Sequence, residues 1–486
     1  MKRLARSVAL GAAGAGLLAG CTVGPDFHIP PAPSVDRYTP APLPAQTAAG
    51  GGDAAQRFAL GAPVAGRWWT LFGSPKLDAL EDEALKDNAD LASAQAALRA
   101  AREAWLAQRA AQFPTVDLAA SGVRAKNSAT IAPPLASNAE SYSLYTAQLN
   151  ITYVIDVFGG VRRQTESAAA QAENQAFLTQ AVYLTLTANV ANAAVQLASL
   201  DSQMDDTGRI IETDRRTLEI TRRQQRLGEA STVDVAGAET ALEQAEQLAP
   251  PLQKQIDQER DLLAALVGRP PSEAPTDRLE ISDFQLPLDL PVSLPSQLVR
   301  QRPDVRAAEA NVHVASALVG VAVAARLPSF SITASPGGAS SNIGTLFSNG
   351  NDLWSITGSI AQTVFDAGAL RHKQKAAEAA LDQAKAQYRS TVLGALQNTA
   401  DVLQAIVDDA ETLKHANAAE AAAARSLRLA QDQLAHGQAG SLPVLTAETA
   451  DVQALIALSQ ARSARYADTV ALYQALGGGW DGSGLG

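Results

Sequence analysis

Few residues in this 486-residue chain have the types and spacing that covalent chemistry requires. The five histidines, His28, His313, His372, His415 and His436, are scattered, with no HExxH motif and no pair four residues apart. A metal centre needs convergent ligands, so neither a metal nor another cofactor is expected. No G-x-S-x-G elbow and no Walker A stretch occurs, which leaves an enzyme without nucleophile, base or phosphate cradle. The acids in suggestive positions are Asp234, Glu448 and Asp451, each shortly after a glycine-bearing turn, with Thr446 among them. Repeated around a symmetry axis, such acids would form a ring favouring cations. On ordinary helices they would be solvated or paired with a neighbouring subunit.

Cys21 offers chemistry of another kind. It is the sole cysteine, so no disulfide can form within one chain. Lys2, Arg3 and Arg6 precede a short apolar stretch at 8–18, and small residues follow, as in a secretory signal occupying 1–20. The "LAGC" at 18–21 matches the bacterial lipobox, in which cleavage leaves the cysteine first and lipid-modified; a free cysteine beside an ordinary cleavage site is the alternative. Thr22 stands where an Asp would signal inner-membrane retention, so delivery to the outer membrane is expected. Several acyl chains anchor stably where one does not.

The elements around these residues are helical and repeated. With 39 basic against 50 acidic residues the net charge is −11, which argues against nucleic acid as a partner. Aromatic residues are 5%, and long alanine-rich stretches suit closely packed helices. Residues 21–66 read as an extended lipid-anchored tether, and a proline-rich linker at 269–296 separates two repeats, 67–268 and 297–478, with a tail at 479–486. "ALKDNADLASA" from Ala84 aligns with "LVRQRPDVRAA" from Leu298, 214 positions on. "RLGEASTVDVAGAETA" from Arg226 aligns with "AHGQAGSLPVLTAETA" from Ala435, 209 positions on. A constant order of matches at nearly constant offset is an internal duplication.

Each repeat switches from a helical to a two-residue hydrophobic period and back. Val116, Leu118, Ala120 and Gly122 alternate with polar neighbours, as do Tyr145 to Ile155, Phe330 to Ala334 and Trp354 to Ile360. These predict β-hairpins at 114–158 and 328–366, four strands in all, with 335–352 read as a loop. Proline-free helices are expected at 161–227 and 369–436, each roughly 100 Å long. Tyr183, Val190, Leu197, Met204, Ile211 and Leu218 recur every seven residues, and Val392, Thr399, Ile406, Leu413, Glu420 and Leu427 hold the same frame, which predicts left-handed supercoiling. Tip turns at 228–232 and 437–441 come next, with Gly228 and Gly437 as left-handed C-caps and Ser231, Thr232 or Ser441 capping the return helices. Adjacent Pro250 and Pro251 predict a kink or break in the first return helix. Strands of this length suit a tilted membrane span, yet four cannot close a barrel; three chains would supply twelve.

Four stretches carry a family resemblance: "CTVGPDFHIP" from Cys21, "WWTLFGSPKLDAL" from Trp68, "LAPPLQKQIDQERDLLAALVGRPP" from Leu248 and "LPSQLVRQRPDVRAAEA" from Leu294. The chain resembles the outer-membrane factor lipoproteins of the NodT group, related to TolC, along essentially its whole mature length. The resemblance implies a mainly α fold with a membrane β-barrel: a homotrimeric tunnel whose twelve strands continue into a periplasmic α-helical barrel of coiled-coil helices. It also implies docking onto a periplasmic adaptor and an inner-membrane efflux pump, usually of the resistance-nodulation-division class, and passive outward conduction of toxic compounds. Both tips would lie at the periplasmic end, making Gly228, Ala230, Ser231, Val233, Gly437, Gly440, Ser441 and Leu442 candidate adaptor contacts. Relatives often carry an acid soon after the second turn, where this chain has Thr446, so the periplasmic gate is expected among Asp234, Thr446, Glu448 and Asp451. A structural envelope-spanning coiled-coil lipoprotein without conduction is the alternative reading.

Overall fold

The two longest helices are as long as their uninterrupted sequences permit. In a computed structural model that describes residues 22–31, 34–50, 54–126, 141–436 and 438–478, helix α3 spans Gly160–Arg226 and α7 spans Ala369–Ala435. The signal at 1–20, Cys21, Gly437 and the tail at 479–486 lie outside the described residues. Before α3 come α1 (Pro75–Asp87) and α2 (Ala89–Ala110), and before α7 come α5 (Pro295–Gln301) and α6 (Pro303–Ala324). The return helices are α4 (Thr232–Leu266) and α8 (Ser441–Ala475).

The heptad stripe is the packed face. Val190, Leu197 and Leu218 of α3 are buried, as are Val392, Thr399, Ile406 and Leu413 of α7. The polar Thr399 is satisfied by its own helix, donating to the carbonyl of Ala395 at 2.9 Å. Pro250 and Pro251 do not break α4, which runs through both. A proline's fixed φ is itself helical, and what it removes is an N–H; both residues lie on the exposed side, where water meets the freed carbonyls. Nor does Ser441 stand before its helix: α8 begins at that residue, with Gly440 in the N-cap position.

The duplication is visible in bonds. Asn88 Nδ2 donates to the carbonyl of Leu266 at 3.0 Å, and Arg302 Nη1 to that of Ala475 at 2.9 Å. The donors are 214 positions apart and the acceptors 209, the same two offsets read in the sequence. Gly268 and Gly477, just past those carbonyls, both have positive φ, 81° and 88°. A Cβ on either would sit under 3.0 Å from a backbone oxygen, of Asp87 and of Gln301. Each repeat thus clamps the end of its return helix onto the start of its second helix, and only glycine fits the clamp. The "QRPD" stretch serves here: Arg302 grips the Asp304 carboxylate through Nε (3.0 Å) and Nη2 (2.8 Å) while closing the clamp.

Strands β2 (Thr115–Lys126) and β3 (Ser141–Ile155) pair antiparallel over twelve residues; a short β1 (Arg57–Leu60) precedes them and β4 (Asp289–Val292) comes after. β1 and β4 pair in parallel, so the tether and the linker meet as a two-stranded sheet that sequence reading did not foresee. In the second repeat each side of the hairpin holds two strand pieces rather than one: β5 (Ser329–Ala334) with β6 (Gly337–Ser340), and β7 (Asp352–Leu353) with β8 (Ile356–Ala361). β6 lies within the stretch expected to be loop. Pro336, which has no N–H for a ladder, interrupts the strand, while Gly337 lets the backbone close against β3, where a Cβ would collide with Ala147 and Gln148.

Contacts divide the chain into two units, each built from both repeats. One comprises Met1–Pro30, Leu98–Gln175 and Ala308–Tyr388 and holds the six-stranded sheet; the other comprises Pro31–Ala97, Ala176–Ala307 and Arg389–Gly486. The core of the second unit is built on aromatics, with Trp68, Trp69, Phe72 and Tyr473 fully buried and Trp68 stacked on Tyr473 at 5.3 Å.

Candidate functional site

The sheet sorts its residues by face. Directly opposed residues in a ladder share a face, and the register opposes Val116 to Ile151, Leu118 to Leu149, Ala120 to Ala147 and Gly122 to Tyr145. It then opposes Ile151 to Ala334, Tyr153 to Ile332 and Ile155 to Phe330, and Phe330 to Ile360 and Ala334 to Ile356. Every alternating apolar residue named from the sequence in these strands therefore lies on one side. The other side carries Asp117 opposite Asn150, Ser121 opposite Thr146, Thr152 opposite Thr333 and Ser331 opposite Ser359, interrupted by Val123, Leu144 and Val154. In this unit β2 and the β7–β8 line form two sheet edges without a neighbouring strand among the described residues. Leu118, Ile356 and Ile360 stand about three-quarters exposed in the isolated chain, a surface that calls for lipid or another copy.

The strands are joined to the long helices by two caps that sequence reading missed. Asp156 accepts the N–H groups of Val161 (3.1 Å) and Arg162 (2.8 Å) at the start of α3. Asp366 accepts those of Gly368 (2.8 Å) and Leu370 (2.7 Å) at the start of α7, and these backbone donors lower its pKa. Both acids stand just ahead of a glycine-bearing helix start, which is the signal that would have revealed them.

At the first tip α3 ends with Glu229 N–H bonded to the Gln224 carbonyl (2.8 Å) and Gly228 N–H to that of Gln225 (2.9 Å), with Gly228 at φ 86°. This is a Schellman stop. At the second tip Gln438 N–H bonds the carbonyl of Gln433 at 2.8 Å, the same bond 209 positions on. Beneath the turns, Leu218, Val235 and Ala238 form one small cluster, and Val444, Ala447 and Leu427 sit in the corresponding one. Of the identities shared by the two motifs, Val235/Val444 and Ala238/Ala447 are the ones packed inside. On the surface they differ: Val233 is 79% exposed and Leu442 72%, while Gly228, Ser231 and Gly440 are also exposed and Ala230 is half-buried. Gly437 lies outside the described residues.

The four gate candidates do not converge. Asp234 is committed to a capping box, its carboxylate accepting the N–H and the hydroxyl of Ser231, both at 2.7 Å. Thr446 is exposed and donates to the carbonyl of Leu442 at 3.0 Å. Glu448 is only 6% exposed and faces Asp214 of α3 in its own chain. The two carboxyls face each other out of water, with the Thr217 hydroxyl acting to lower the Glu448 pKa. Burial, then the Asp214 contact, raises Glu448 to about 8. Asp451 is half-buried and raised by burial and by Glu420; with Asp206, Asp214 and Glu448 it lines a cavity of about 170 Å³ whose rim holds Arg209. No cluster able to ligate a metal ion occurs among the described residues.

Known proteins share this arrangement. The family described as outer membrane efflux protein matches residues 80–269 and 294–478, one block per repeat. The chain is 31% identical over 465 residues to the toluene efflux pump outer membrane protein TtgC of Pseudomonas putida, covering 96% of this chain and 94% of that one. It is 29% identical over 424 residues to the pyoverdine export outer membrane protein OpmQ of the same species, covering 85% and 88%. The outer-membrane channel OprN superposes with a TM-score of 0.84 at 28% identity, covering 95% of this chain and all of that one.

Proposed function

Because the chain belongs to the outer membrane efflux protein family, we propose that three copies assemble into the exit duct of a tripartite efflux system, passing cargo from a pump and its periplasmic adaptor to the outside. The fold is that of the TolC-like channels, internally duplicated, and its place is the outer membrane. The observation that carries the trimer is the six-stranded sheet, four strands wide because β5 with β6 and β7 with β8 each make one line, with one apolar face and two edges. Four strands leave backbone groups unpaired in lipid, where each costs several kcal/mol. Three copies edge to edge close twelve strands, apolar side out and polar side around a lumen.

In this reading Cys21 carries the lipid anchor. The adaptor meets the tips, where exposed Val233 and Leu442 provide apolar contact without the fold needing them. Asp451 and Thr446 remain to line the aperture, since Asp234 is spent as a cap and Glu448 is buried. The duct works passively and is not an enzyme, with the pump, commonly of the resistance-nodulation-division class, selecting cargo. Two relatives of similar identity are named for toluene and for pyoverdine, as expected of a duct that does not itself recognise what it carries. Purified protein reconstituted in planar bilayers is expected to show discrete ion conductance at the mass of a trimer. A silent trimer would favour the spacer reading instead.

A further inference from the structure

The described chain begins at Thr22, and the next five residues are held tightly. Val23 N–H donates to the carbonyl of Phe158 at 3.1 Å. Arg163, whose side chain is 5% exposed, donates to the carbonyl of Val23 (3.2 Å) and the carboxylate of Asp26 (2.7 Å) while pairing with Glu166 (2.8 Å). Phe27 stacks on His313 at 4.3 Å, and His313 in turn meets Glu166 at 2.9 Å. Thr22 packs against Gly159, so closely that a Cβ there would touch its backbone and methyl group. Thr22, the residue that follows Cys21 in the sequence, is therefore fixed beside Gly159.

The neighbours of Gly159 wall an open cleft. Phe158 and Gly160 border a cavity of about 470 Å³ at the junction of strands and helices, with Val154, Val161, Val321, Leu327 and Phe330 supplying apolar walls. Its one carboxylate, Asp156, is already engaged by the α3 N–H groups, so the cleft presents no unsatisfied charge to a ligand. The cleft opens where β3 ends at Ile155 and β5 begins at Ser329, at the margin of the strand ladder. At about 30 Å³ per water-sized group, which is also about the size of a methylene, it takes on the order of fifteen carbons.

We propose that this cleft seats one acyl chain of lipid-modified Cys21, so that the anchor is a built-in part of the strand–helix junction as well as a tie to the bilayer. The proposal rests on the reading of Cys21 as the lipidated residue. The clasp of Arg163 on Val23 and Asp26 then has a purpose: it fixes where the lipid leaves the chain. Nearness favours the attached lipid over free phospholipid, since Thr22 is held against Gly159, whose two chain neighbours line the cleft.

The test is metabolic labelling of cells with a sixteen-carbon fatty acid bearing a diazirine and an alkyne, followed by irradiation, purification of the full trimer and peptide mapping. The expected result is label on the N-terminal cysteine and photoadducts concentrated at 154–161 and 321–330. Label on the cysteine with adducts only on the strand faces or on phospholipid overturns the seat and leaves lipidation standing. A chain that takes up no label at its N-terminus overturns both. Cleft adducts that persist in Cys21→Ala identify a free lipid as the occupant and also overturn the proposal. Ala324→Trp, which puts a bulky ring on the cleft wall, is expected to lower cleft adducts several-fold without loss of the N-terminal label.

Discussion

Glu81 is the residue whose chemistry is most out of place. Its side chain is fully buried in the helical unit, and neither of its oxygens has a hydrogen-bond partner. Burial, then the charges of Asp78 and Asp82, raises its pKa to about 9. An acid whose folded pKa lies above its unfolded value holds its proton in the fold and releases it in the unfolded chain between the two values. Stability therefore falls as pH rises from about 4.5 to about 9, and the penalty is complete above that. Glu81→Gln is expected to melt higher than the parent at pH 7, with a gap that widens from pH 5 to pH 9. Parallel melting curves for the two proteins would show the carboxyl to be solvated after all. Nothing in the sequence marks Glu81, because helix α1 places several acids close together and only tertiary packing decides which is buried.

At the scale of elements, the duplicated clamp and the tip turns make separate demands. Gly268 and Gly477 combine positive φ with a backbone oxygen in the place of a Cβ, so alanine at either is strained twice. Gly268→Ala and Gly477→Ala should each reduce folded protein sharply, whereas Arg302→Ala, losing its bonds to Asp304 and Ala475, should cost about 1–3 kcal/mol in chemical denaturation. Val233→Asp and Leu442→Asp should do the reverse, leaving melting unchanged while export in cells and adaptor cross-linking fall; full export would move the docking surface elsewhere. The Asp214–Glu448 pair joins α3 of one hairpin to α8 of the other. It faces Asp206 and Arg209 on α3 and Asp451 on α8, with Leu427 of α7 and an uncharged stretch of α4 across the cavities. Both carboxyls are raised, so the attraction is present in acid and lost as pH rises through about 8. Hydrogen-exchange protection along 206–214 and 448–455, corrected for the base-catalysed rise of intrinsic exchange, should fall between pH 7 and 9, and Glu448→Gln should abolish that fall. Helices, turns and offsets were legible because they rest on local period and glycine chemistry. The β1–β4 pair and the burial of Glu448 were not, since each depends on residues far apart in the chain; nor was the passage of α4 through two prolines, which turns on their lying on its exposed side.

For the whole molecule, the assignment of faces is the claim on which conduction depends. Leu118 and Asp117 are adjacent in β2 and point to opposite sides, opposed to Leu149 and Asn150 on β3. If the apolar side faces lipid, a lysine at Leu118 puts a charge into hydrocarbon in each of three copies. Such a charge costs about 2–4 kcal/mol at mid-bilayer and less near the interfaces. Leu118→Lys should therefore weaken the trimer visibly, lowering the temperature at which it dissociates on a gel. A lysine at Asp117 would instead reach the lumen, where water solvates it. Asp117→Lys should assemble as the parent does and shift the bilayer conductance away from cations, by replacing three negative charges with three positive ones. Were the outcomes exchanged, with Asp117→Lys failing to assemble and Leu118→Lys altering selectivity, the sheet would have to be turned inside out. The twelve-strand count would survive, because it depends on the edges, but every residue named here as lumenal would belong to the lipid side.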